Sequence, residues 1–244
     1  MSRLVWDELD KRIFETGLRQ GVLYPIGADG TYAGGVAWNG LTGVTESPSG
    51  AEPTPIYAND TKYLTMLSSE DFAFTLEAFT YPDEFAACDG SLDILLGSKI
   101  GQQKRKSFGL CYRTILGNFT EGIDFGYKLH LVYGAMASPS EKGYSTINND
   151  PEAISFSWES NTTPIKVEGL GSFSHVVIDS TKIIPAKLAA LETILYGDPL
   201  TDARLPLPGE LMRIVTDEIL DSNYDAIKDS TGGVLLDGRG ASGI

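Results

Sequence analysis

The stretch Asp124-Phe125-Gly126-Tyr127-Lys128-Leu129-His130-Leu131-Val132-Tyr133-Gly134-Ala135 decides the fold class. Phe125, Tyr127, Leu129, Leu131 and Tyr133 alternate with Asp124, Gly126, Lys128 and His130, a period of two that predicts a half-buried strand. The same alternation sets Phe72, Phe74, Leu76 and Ala78 against Ala73, Thr75 and Glu77, and Ile154, Phe156 and Trp158 against Ser155, Ser157 and Glu159. Runs 108–116 and 173–178 are rich in aromatic and β-branched residues and are bounded by Gly or Ser. Short strands separated by turn signals predict a mainly β chain, an antiparallel β-sandwich or barrel. Helical spacing is clear over 185–196, where Leu188, Leu191 and Leu195 share a face, Pro185 opens the first turn and Gly197 follows the last. A shorter helix is predicted over 83–88, after Tyr81-Pro82.

The 244 residues carry 19 basic and 33 acidic side chains, a net charge of −14, and 42% of them are apolar. That is enough apolar material for a large core, which excludes a chain disordered throughout. The acidic balance argues against a protein that grips nucleic acid by neutralising phosphates. Cys88 and Cys111 are too few for a disulfide framework and are expected as two reduced, buried thiols. The first dozen residues carry acids where a signal peptide needs an apolar run, and no stretch approaches the length of a spanning helix, so cytosolic synthesis without a membrane is expected. The sandwich is assigned to residues 1–200. The acidic, finally Gly-rich stretch 201–244 is read as a C-terminal arm that packs poorly on its own domain.

Few residues offer chemistry. His130 shares a strand face with Lys128 and reads as a solvated strand residue, while His175 reads as a satisfied core or interface imidazole. No Gly-x-Ser-x-Gly elbow is present. The two His and two Cys are scattered along the chain, against the close ligand spacing of a zinc site. Asp89-Gly90-Ser91-Leu92-Asp93 lacks the further acids of a calcium loop and reads as a capped turn. The one basic cluster, Gln102-Gln103-Lys104-Arg105-Lys106, reads as a solvated turn or a patch for an acidic neighbour. No catalytic residue, cofactor or metal ligand is assigned, and the chain is not expected to be an enzyme.

The run 45–59 holds Pro48, Pro53 and Pro55 and reads as a long extended inter-strand loop. Other strings carry a resemblance. Arg12-Ile13-Phe14-Glu15-Thr16-Gly17 leads to Gly21-Val22-Leu23-Tyr24-Pro25 and to Gly35-Val36-Ala37-Trp38-Asn39-Gly40-Leu41-Thr42-Gly43-Val44. Then come Thr45-Glu46-Ser47-Pro48-Ser49-Gly50-Ala51-Glu52-Pro53, Tyr81-Pro82-Asp83-Glu84-Phe85, Ser107-Phe108-Gly109-Leu110-Cys111-Tyr112-Arg113-Thr114 and the helix at 185–197. In this order, over roughly residues 12–210, they resemble the major tail protein, or tail tube protein, of long, non-contractile-tailed phages and prophages of Gram-positive bacteria.

The resemblance implies a β-sandwich with a flanking helix, hexameric rings that stack into a tube, and a channel through which DNA passes without specific binding. It implies partners among copies of the chain and among tape measure, terminator and distal tail proteins, and a place in the virion after synthesis in the host cytoplasm. It makes 45–59 the loop that reaches the adjacent ring, with Ile56 and Tyr57 buried against the neighbour. About four inner strands from each of six subunits, spaced about 4.8 Å and tilted about 40°, close at a diameter near ~48 Å, wider than a duplex after side chains fill in. Strand-borne acids facing away from the sandwich core, Glu77, Asp124, Glu159 and Glu168, are the candidates for the channel wall. Two other readings compete: a decoration or carbohydrate-binding sandwich, with Trp38 and Trp158 in a sugar groove, and a cytosolic β-sandwich enzyme.

Overall fold

The computed structural model describes residues 3–95, 97–147, 153–167 and 170–216. In chain order, β1 (Ile13–Pro25) precedes the short strands β2 (Tyr32–Ala33) and β3 (Val36–Ala37), then β4 (Leu41–Glu46). A ribbon of β5 (Ser49–Gly50), β6 (Pro53–Ala58), β7 (Thr61–Leu67) and β8 (Glu70–Asp71) leads into β9 (Ala73–Ala78). A 3-10 turn at Asp83–Phe85 continues as α1 (Ala86–Asp89), and β10 (Leu92–Leu95) pairs with β11 (Ser98–Ile100). The long strands β12 (Phe108–Asn118) and β13 (Gly122–Ala137) come next, then β14 (Phe156–Thr162), β15 (Ile165–Val167), β16 (Gly171–Phe173) and β17 (His175–Asp179). Helix α2 (Pro185–Tyr196), β18 (Arg204–Leu205) and α3 (Pro208–Val215) follow.

The main sheet is antiparallel, in the order β3-β1-β12-β13-β14-β9-β4, with β17 also paired to β13. It folds over at β13. Most of that strand pairs with β12, whereas only Ala135, Met136 and Ala137 pair with β14. The corner is Gly134, at φ +61°, where the ladder to β12 slips and a Cβ would clash with the Thr163 carbonyl oxygen. A bulge with glycine in the left-handed region is how a strand leaves one layer and joins another. The result is one layer of β1, β12, β13 and β17 facing a second of β14, β9 and β4. The two ends of the sheet approach again at Gly21 of β1, where a Cβ would meet Leu41 Cδ2 of β4 at 2.6 Å.

Two cores result. Leu23, Trp38, Phe74, Leu76, Phe85, Phe108, Leu110 and Trp158 fill the space between the layers. On the other side of the first layer, Tyr24, Leu129, Leu131 and Tyr133 pack beneath Leu188, Leu191 and Leu195 of α2 and Leu211 of α3. The Tyr24 hydroxyl donates to the Leu195 carbonyl at 2.7 Å and the Tyr133 hydroxyl to the Pro206 carbonyl at 3.0 Å, which satisfies both buried phenols. Cys88 and Cys111 are free and buried, and burial pushes both thiols up to about 12. Trp38 and Trp158 are core residues, so neither is available to line a sugar groove.

The mainly β antiparallel architecture, the α2 face and the short helical turn at 83–89 match the expectation from sequence. Three readings need correction. The run 45–59 is not a loop: it forms the end of β4, then β5 and β6, because β7 and β8 downstream pair with it. Residues 201–216 do not form a loose arm. β18 pairs with β2, Arg204 holds Glu210 through two hydrogen bonds of 2.7 and 2.6 Å, and Leu205 and Leu211 are buried, so the sandwich domain runs past 200. Residues 217–244 lie outside the described residues, so the arm reading is carried by no structure there. His130 is buried rather than solvated, because β4 and Tyr112 cover the strand face it shares with Lys128.

The packing of α3 is testable. Leu211→Ala should lower the unfolding free energy by about 2–5 kcal/mol in a urea titration, as for any large aliphatic deleted from a sealed core. A change below about 0.5 kcal/mol would mean that this segment does not belong to the core.

Candidate functional site: exposed ribbons, an acidic face and a histidine cluster

The ribbon after Glu46 is built by short-range chemistry. Ala58 pairs with Thr61 across a two-residue turn, Asn59-Asp60, whose φ values of +49° and +61° match a type I′ hairpin. Pro53 and Pro55 pair with Leu67 and Thr65, and their two-residue spacing puts both donor-less nitrogens on one edge of β6. Within a paired strand that edge must be the outer one, since the inner positions need N–H donors. The register Thr54↔Met66 and Ile56↔Leu64 collects Ile56, Leu64 and Met66 on one face. Every residue of β6 and β7 is exposed, including Tyr57 at 66% and Tyr63 at 73%. A six-residue strand extends this ribbon by about 20 Å.

Two further apolar surfaces are open. Leu92, Ile94, Leu95 and Ile100 of the β10–β11 hairpin are exposed, and so are Leu4, Val5, Trp6 and Leu9 ahead of β1. Contiguous exposed apolar surface of this kind marks sites of protein association.

The candidate channel acids separate. Glu77 of β9 and Glu159 of β14 sit on neighbouring strands, opposite Ser157 and Thr75, and both are exposed on the outer face of the second layer. Thr45, Thr75, Ser157 and Asn161 extend that face, which carries no basic side chain at these positions. Asp124 is exposed too, but it precedes Ala135, where β14 joins β13, by a strand length of about 36 Å. The structure therefore brings together two of these acids and leaves Asp124 apart. Glu168 lies outside the described residues.

One constellation escaped the sequence. His130 of β13, His175 of β17 and Glu46 at the end of β4 meet between the two layers. His130 Nδ1 lies 3.2 Å from Glu46 Oε1 and 3.3 Å from His175 Nε2, and His175 Nε2 lies 3.8 Å from Glu46 Oε1. The Tyr112 hydroxyl donates to the same Glu46 oxygen at 2.6 Å, and its ring stacks on His130, while Phe72 stacks on His175. The hydrogen bond with His130, then that from Tyr112, outweighs the cost of burial and holds the Glu46 carboxyl down to about 2. Burial lowers His175 below its ordinary value, against the pull of Glu46. The three side chains were unreadable as a set because 84 residues separate Glu46 from His130; the antiparallel placement of β17 beside β13 supplies the third member.

Asp89 explains the turn at 89–93. It is buried, accepts from Trp158 Nε1 at 3.2 Å and Lys142 Nζ at 2.6 Å, and stands 3.7 Å from Arg105. Arg105, drawn from the basic cluster, is thus half-buried in an internal ion pair rather than wholly solvated. No helix among the described residues is long and apolar enough to cross a membrane.

Compared with known families, the chain matches none. It likewise matches no curated protein. The surfaces themselves therefore carry the functional argument.

If the ribbon is held only by its own pairing, its amides should exchange with solvent far faster than those of the double-covered ladder. Hydrogen exchange read by mass spectrometry on the isolated subunit should show β6 and β7 at least about 100-fold less protected than β12 and β13. Equal protection would mean that the ribbon packs on its own sandwich.

Proposed function

We propose that the protein is a non-catalytic structural subunit that assembles with copies of itself, and that its assembly is the tail tube of a long-tailed phage. The observation that carries this reading is the β6–β7 ribbon, a two-stranded hairpin exposed along its whole length with Ile56, Leu64 and Met66 on one face. An isolated two-stranded hairpin is at best marginally stable in water, so such a ribbon needs a surface to lie on. The resemblance of residues 12–210 to tail tube proteins supplies the partner: the adjacent ring. The β10–β11 hairpin and the segment before β1 offer apolar surface for contacts within a ring.

In this reading the partners are copies of the chain, with tape measure, terminator and distal tail proteins at the ends of the tube. The location is the virion. DNA moves through the channel without being bound, and the outer face of β9 and β14, with Glu77 and Glu159, lines the wall. Stacked rings of these acids would face a polyanion carrying one charge per about 1.7 Å.

Negative-stain imaging of the purified protein tests the assembly. Rings or tubes are expected from the full chain. A variant in which residues 52–68 are replaced by Asn-Gly, shortening the ribbon onto β5 and β8, should stay folded by circular dichroism and form no long tubes. A full chain that remains monomeric at high concentration and never enters particles would sink the reading.

The channel wall has its own test. Glu77→Lys with Glu159→Lys should leave tube length unchanged and slow DNA ejection. The slowing should be largest at low salt, because charge acts only within about 8 Å at physiological ionic strength. Ejection at the wild-type rate at every salt concentration would place these acids away from the DNA.

A further inference from the structure

We infer that His130, His175 and Glu46 form a three-ligand site for a divalent transition metal of the zinc class, bridging the two layers at the root of the ribbon. The donor atoms Nδ1 of His130, Nε2 of His175 and Oε1 of Glu46 form a triangle with edges of 3.3, 3.2 and 3.8 Å. A point in its plane lies about 2.0 Å from all three corners, the length of Zn–N and Zn–O bonds. Two imidazole nitrogens and one carboxylate oxygen are a donor set that zinc, cobalt and nickel accept, and calcium and magnesium do not favour.

A second, independent observation concerns the proton on His130. Thr114 Oγ1 gives its only proton to the Glu15 carboxylate at 2.5 Å. Lys128 Nζ donates to the other oxygen of the same carboxylate, so Glu15 is paired as an acceptor on both oxygens. At 3.1 Å from His130 Nε2, the Thr114 oxygen must therefore accept from the imidazole. Nε2 of His130 is thereby anchored on Thr114, and Nδ1 faces Glu46 and His175, where an incoming metal ion would replace the proton that Nδ1 shares with Glu46. That is the arrangement of a metal-ligating histidine, whose second nitrogen donates to an outer partner that fixes the tautomer. Tyr112 does the equivalent for the carboxylate, donating to Glu46 at 2.6 Å.

The neighbourhood gives the ion a way in. Glu46 and His130 border a cleft of about 530 Å³ between β1 and β4, shared with Glu15, Thr42 and Val44. A fourth position facing that cleft is left for water, which makes the site three-coordinate in protein. The charges nearby are Glu15 and Lys128, which pair with each other, so Glu46 supplies the only negative charge within the triangle.

The inference does not rest on the tail tube reading, and a monomeric chain is sufficient to test it. Full-length protein without a polyhistidine tag, stripped with chelator, should take up one equivalent of Co²⁺ with the intense visible bands of tetrahedral cobalt. Zn²⁺ should displace it, and Zn²⁺ at about one hundred times its Kd should raise Tm by about 5–10 °C. His175→Gln and Glu46→Gln should each weaken Zn²⁺ binding at least tenfold while far-UV circular dichroism is unchanged. Absence of one-to-one uptake by the wild-type chain at micromolar metal would overturn the inference whether or not the variants fold. So would unchanged affinity in both variants, which would move the bound metal to surface carboxylates.

Discussion

Between β12 and β13 the hydrogen-bonded ladder is covered twice, by the second sheet layer on one side and by α2 and α3 on the other. Everything else in the structure accommodates that double burial. A strand wet on neither face cannot carry free charge, so Lys128 pairs with Glu15 at the open end of β13, and Tyr24 and Tyr133 spend their hydroxyl protons on the carbonyls of Leu195 and Pro206. Covering both faces with a single sheet also requires a strand to change layers. Gly134 does this, at a position where the Thr163 carbonyl leaves no room for a Cβ. Alanine there would have to displace backbone in the second layer, and a non-glycine residue would strain at positive φ.

The parts of this fold that were legible in the sequence are those set by local periodicity. Phe74, Leu76 and Ala78 are buried and Glu77 is not, as the alternation requires, and Leu188, Leu191 and Leu195 line one side of α2. The parts that were not legible depend on a partner distant in sequence. His130 looked solvated because its strand alternates with apolar residues that do face α2. Nothing local reveals that β4 covers the alternate face as well, or that β17 pairs along the strand's edge and brings His175 beside it. The stretch 45–59 looked like a loop because three prolines interrupt it, yet an outer ribbon edge tolerates proline where a central strand would not. Residues 201–216 were assigned to an arm on the acidic and finally Gly-rich character of 201–244, although Leu205 and Leu211 were the informative residues.

The same contrast separates what the fold needs from what it presents. The sandwich satisfies itself: its aromatic residues interlock, with Trp158 edge-on to Phe85, Tyr81 and Trp38, and its edges meet near Gly21 and Leu41. The ribbon does not. Its apolar side chains contribute nothing to the sandwich core, and neither core includes a residue of β6 or β7. Free energy that the isolated chain does not gain is available to an intermolecular contact, at about 25 cal/mol for each Å² of apolar surface covered.

An exposed apolar ribbon is also a hazard, since any strand could add to its edge. Pro53 and Pro55 remove two donors from the outer edge of β6, so that edge cannot template a continuous ladder. A partner is left the flat face with Ile56, Leu64 and Met66, and a face recognises shape where an edge recognises only backbone. The net charge of −14 adds a second filter, because two such subunits repel at long range and adhere only where apolar surface is complementary at short range. Blocked edge, apolar face and like charge together favour one specific docking geometry over disordered accretion. That combination is what the proposed assembly would require of a subunit that polymerises in a single register.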